Sequence, residues 1–131
     1  MKAQELRIGN LIYWNIPEKK DTIHTVVGMR NDTPQTMPIS LGESIDDYKP
    51  IPLTEELLLK FGFKKVSGEW RLFPCFEIQI IVFNDKHYNG VMFYTRTAHA
   101  DYSPIYCTNH INHVHEVQNL YYALTKKELT L

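Results

Sequence analysis

The chain has 131 residues, 44% of them hydrophobic, with fourteen basic and fifteen acidic residues and a formal net charge of −1. That length suits one domain with its own core, and that composition excludes a disordered chain. The charges are evenly spread, six basic and seven acidic through residue 50 and eight of each beyond it, so neither half carries a strong electrostatic footprint for nucleic acid or an anionic membrane.

Met1–Arg7 lacks the apolar stretch of a signal peptide, and no apolar run approaches the roughly 18 residues of a membrane span. The expected location is cytoplasmic, with no membrane partner. Leu6-Arg7-Ile8-Gly9-Asn10-Leu11-Ile12-Tyr13-Trp14 predicts two short strands around a bend at Gly9-Asn10. Pro17–Asp21 is a charged loop. Thr22–Met29 alternates β-branched and polar residues and predicts a strand. Asn31–Pro38, with two prolines and several small polar residues, reads as a loop, and Ile39–Tyr48 is weakly patterned. Tyr48–Pro52 must be extended, because each proline pushes its predecessor out of the helical region.

A short helix follows with complete punctuation. Thr54 is the N-cap, and Glu55 and Glu56 suit the positive end of the helix dipole. Leu57, Leu58 and Phe61 form the inner face, and Gly62 supplies a left-handed residue after the last turn. Strands are then predicted at Glu69–Phe73, with Pro74 marking its end or an edge, and at Cys75–Phe83. In the second, Phe76, Ile78, Ile80 and Val82 share one face against Glu77 and Gln79. Asn84–Gly90 is a hairpin loop, Val91–Arg96 returns antiparallel, and a polar loop leads to a strand at Ile105–Cys107. The last helix starts near Asn112. Val114, Val117, Leu120, Tyr121 and Leu124 form one stripe at helical period, assigned to the sheet. Thr125–Glu128 has the spacing of a capping box and could open a further turn.

Three blocks together, Leu6–Ile12, Pro50–Phe63 and Val114–Thr125, resemble a family of small uncharacterised bacterial proteins often encoded in prophages and other mobile elements. The blocks cover under a third of the chain, in matching order. The resemblance implies an origin and no catalytic residues. The family often has glycine where this chain has Lys126.

Few residue clusters suggest chemistry. His110, His113 and His115, with His99 and Asp101 upstream, are the most metal-like grouping. On a helix His113 and His115 lie about 200° apart and cannot both face one ion. They read as polar residues at a helix start, so no metal and no cofactor is assigned. Cys75 and Cys107 lie in predicted strands and read as buried reduced thiols; a disulfide stays open to them if their Cα atoms come within roughly 7 Å. A nucleophile built from Cys107 and a histidine has no supporting motif. The glycines are scattered and form no phosphate loop. Tyr13, Trp14, Tyr88 and Tyr94, with the pairs Lys19-Lys20, Lys64-Lys65 and Lys126-Lys127, could serve nucleic acid, but acidic neighbours offset the first and last pairs.

The expected fold is α+β in a single domain, residues 1–131. An N-terminal antiparallel β lobe over residues 1–50, open or closed into a small barrel, continues into a helix–antiparallel sheet–helix layer over residues 51–131, both helices on one sheet face. The expected function is that of a non-enzymatic accessory protein binding an unknown protein partner or itself. A nucleic-acid-binding accessory protein is the alternative, and a metal-dependent enzyme using the His99–His115 region is third. No catalytic residue is assigned. His115, Gln118, Asn119 and Tyr122, off the apolar stripe of the last helix, are the contact-surface candidates.

Overall fold

The computed structural model describes the backbone of residues 1–15, 22–75, 78–84, 89–96, 102–108 and 111–131. It is α+β, with two antiparallel sheets and two α-helices among the described residues. The chain divides into two compact units, residues 1–52 with 113–130, and residues 53–112 with Leu131. This division departs from the expected break at residue 50, because the last helix belongs to the first unit.

The first unit holds β1 (Leu11–Trp14), β2 (Thr22–Arg30), β3 (Thr33–Met37) and β4 (Tyr48–Pro50), in the order β3-β2-β1-β4. The sheet is open, not a closed barrel, since β3 and β4 are its two unpaired edges. Only one strand forms in the opening segment. Ile8 and Gly9 make a turn, fixed by the Asn10 side chain accepting from the Arg7 amide at 2.7 Å. Ile12, Val26 and Tyr48 form the core, flanked by Met1, Leu6 and Trp14. The expected loop at 31–38 is instead a two-residue turn, Asn31-Asp32, followed by β3. Both turn residues have positive φ, as a tight hairpin requires. Pro34 is tolerated because β3 is an edge strand. The helix α2 (Val114–Thr125) packs against β1. It ends at Lys126, which adopts the left-handed conformation, so no further turn follows.

The second unit begins with α1 (Glu55–Lys60), built as its sequence dictates. Thr54 Oγ1 accepts from the Leu57 amide at 3.3 Å. Gly62, at φ +89°, lets the Gly62 and Phe63 amides return to the Leu59 and Leu58 carbonyls at 3.0 Å each. Leu57, Leu58, Phe61 and Phe63 are buried. A five-stranded meander follows, β5 (Lys64–Val66), β6 (Glu69–Cys75), β7 (Ile78–Asn84), β8 (Asn89–Arg96) and β9 (Tyr102–Thr108), paired in chain order. β5 was not expected. β6 continues past Pro74, with a register shift between Leu72 and Cys75. β7 does not alternate as expected, since Gln79, Ile80, Ile81 and Val82 are all buried. Residues pointing to both faces of this central strand are thus withdrawn from water. β7 and β8 separate the strands carrying Cys75 and Cys107. Three strand spacings put them about 14 Å apart laterally, beyond the reach of a disulfide.

Candidate functional site

The residues of α2 expected to form an outer contact face are instead tied into the first unit. His115 and Gln118 are 2% and 1% exposed, and Asn119 and Tyr122 are half-buried. Gln118 Oε1 accepts from the Leu11 amide at 2.8 Å, while its Nε2 donates to the Gly9 carbonyl at 3.1 Å and the Leu129 carbonyl at 2.9 Å. Asn119 donates to the Glu5 carbonyl at 2.7 Å and accepts from Asn10 Nδ2 at 2.9 Å. The Tyr122 ring carries the Arg7 guanidinium 3.9 Å from its centroid, and Arg7 forks onto both Glu128 oxygens at 2.6 and 2.9 Å. That hydrogen-bonded pair raises the Arg7 pKa and lowers that of Glu128. Gln118, Asn119 and Tyr122 therefore serve folding, by satisfying backbone and charge on residues 5–11 and the tail, while His115 is simply buried. The apolar stripe is only partly the core face: Val114 and Val117 are buried, but Leu120, Tyr121 and Leu124 are half-buried.

The histidine cluster is also rearranged. His113 is the N-cap, outside the helix, so the helical angle does not apply to it. Its ring stacks on His115 with centroids 5.7 Å apart and planes 17° apart. His115 Nδ1 is buried without a hydrogen-bond partner among the described residues, and burial lowers the His115 pKa. His99, Asp101 and His110 lie outside the described residues. Among the described residues no three His, Cys, Asp or Glu side chains converge as metal ligands would.

The surface that sequence reasoning missed lies beside β3. Val27 is the extra residue of a bulge in β2, which turns its side chain out of the core pattern. After Met37 the chain turns back, and residues 39–43 run beside β3. Thr36 Oγ1 meets Ser40 Oγ at 2.7 Å, and Thr33 Oγ1 donates to the Glu43 carbonyl at 3.0 Å. The Tyr48 hydroxyl bonds Ser40 and donates to the Pro34 carbonyl at 3.3 Å, tying β4 to β3. Gly42 permits this, because a Cβ there would sit 2.5 Å from that hydroxyl. Beneath, His24 Nδ1 donates to the Pro38 carbonyl at 2.7 Å, while Nε2 lies 2.9 Å from Thr22 Oγ1.

This frame encloses a groove of about 620 Å³. Its apolar lining is Val27, Met37 and Ile39, exposed by 46%, 58% and 78%. Arg30 and Glu43 also line it, and neither side chain has an ion-pair partner among the described residues. The hydroxyls are already engaged: Ser40 bonds Thr36 and Tyr48, and the His24 imidazole reaches Thr36 Oγ1 at 3.1 Å only with the Nδ1 that donates to the Pro38 carbonyl, so it offers no free base there. The arrangement suits binding through apolar contact and charge. The cue was the run Met37-Pro38-Ile39-Ser40-Leu41, apolar at alternate positions in a segment with no other pattern.

No family model, curated protein or solved structure matches the chain.

Proposed function

We propose that this is a non-enzymatic accessory protein that acts by binding protein, and that the groove beside β3 is its contact surface. One observation carries the reading: the groove presents large apolar side chains to water next to two charges unpaired among the described residues, while its hydroxyls are engaged in holding its walls. Clustered exposed apolar residues on a cavity are characteristic of an interaction site. Nucleic acid is a poorer fit, because one arginine balanced by one glutamate gives little attraction for a phosphate backbone. An origin in a bacterial mobile element belongs to the same proposal and rests on the three sequence blocks alone.

Selection from a displayed library of random peptides tests this. Binders to the intact protein should recur and lose binding when Ile39→Asp places a charge in the groove. Binders from repeated selections that ignore Ile39→Asp would remove the groove as the contact surface. A protein that yields no binder but retards DNA or RNA at low salt would favour the nucleic-acid alternative.

A further inference from the structure

We infer that the occupant of the groove is a second copy of this chain, in a two-fold dimer in which Arg30 of each copy meets Glu43 of the other. This pairing presupposes that the groove is a protein-contact surface. A two-fold interface places one patch against itself, so every group must find its complement within the same patch. The groove meets that condition. It carries one cation and one anion, each unpaired among the described residues, and an apolar surface from Val27, Met37 and Ile39. Arg30 pairs across the hairpin with Thr33, and Thr33 bonds the Glu43 carbonyl at 3.0 Å, so both charges flank one end of the groove. Met37, opposite Thr25, marks the other end. A foreign partner of a single charge would leave one of the two groups facing its own sign or buried without a partner, a loss that self-pairing avoids.

The contact is made by side chains and not by adding a strand. β3 is an edge, but Pro34 has no amide to donate, and residues 39–43 flank the strand. The two apolar linings then bury one another, and the charge pairs set the register at the rim.

Sedimentation velocity of the full chain over a concentration series tests the pairing. The wild-type chain should show a concentration-dependent monomer–dimer equilibrium. Arg30→Glu and Glu43→Arg should each weaken the dimer at least about tenfold, because like charges then face each other twice. The double variant Arg30→Glu/Glu43→Arg should recover it. An equal mixture of the two single variants should form a heterodimer, since each then supplies what the other lacks. Both positions are exposed, so thermal melts of the variants should match the wild type. A chain monomeric throughout, or a dimer indifferent to both single variants, overturns the pairing. In either case peptide binders sensitive to Ile39→Asp would leave the groove standing as a contact surface for a foreign chain; their absence would remove both.

Discussion

Gln118 is the residue on which the packing of α2 turns. One buried amide satisfies an amide of β1, the Gly9 carbonyl and the Leu129 carbonyl. Gln118→Leu leaves all three unsatisfied and should cost at least about 2 kcal/mol. Leu120→Ala, at a half-buried position, should cost about 1 kcal/mol. Urea denaturation of both variants checks the order, and a larger loss for Leu120→Ala would restore the apolar stripe as the core face. That stripe misled because helical period sorts residues by polarity. Two of the three groups that draw Gln118 inward are backbone atoms more than a hundred positions away, which no local pattern encodes. His115 gives a second test. Its neighbours are Glu116, His113, Glu5 and the Met1 amine, but burial dominates and lowers its pKa below the ordinary value. The unfolded chain therefore binds the proton more readily. The resulting stability is complete above about pH 6.5 and falls as pH drops below it. Glu128 and Glu5, whose pKa values are also lowered, contribute in the same direction only at more acid pH. Thermal melts from about pH 7 down to about pH 5 should show a slope that His115→Gln flattens. An unchanged slope in that variant would assign the acid sensitivity elsewhere.

Among the elements, α1 was legible almost residue by residue. Its cap, acidic first turn and glycine stop all act within a few positions, and each appears in the structure. β3 and β5 were not recognised. β3 contains a proline and polar residues, which an edge strand accepts, and β5 is three exposed residues. A cue was nevertheless present in both. Asn31-Asp32 and Ser67-Gly68 are two-residue loops with positive φ at both positions, the signature of a tight hairpin. The end of α2 carries the third prediction. Lys126 stands at φ 58° and ψ 21°, a conformation that disfavours any residue with a Cβ. Lys126→Gly should raise stability by about 1 kcal/mol, visible as a higher melting temperature. A lower one would mean that the Lys126 ammonium, 5.8 Å from the Tyr122 ring centroid, matters more than the backbone.

At the scale of the molecule, the α+β class was legible from strand alternation and two helical periods, while the membership of α2 was not, because it depends on which distant sheet the helix joins. The first unit is closed by a bridge between Pro52 and His113, reinforced by the Val114 amide donating to the Ile51 carbonyl at 2.9 Å. Residues 53–112 thus leave and re-enter the first unit at neighbouring backbone positions. Replacing them with a short glycine linker should leave a folded unit, with dispersed amide resonances and Trp14 still held in its core. A collapsed spectrum would show that the first unit cannot stand alone. The same topology dictates an order of events during synthesis. Leu11 must wait for Gln118, 107 positions later, and Arg7 for Glu128, 121 positions later. The meander needs only neighbours in sequence, and short loops close faster than long ones. As the chain emerges from the ribosome, its middle can therefore take shape while its opening strands still lack the helix that completes them.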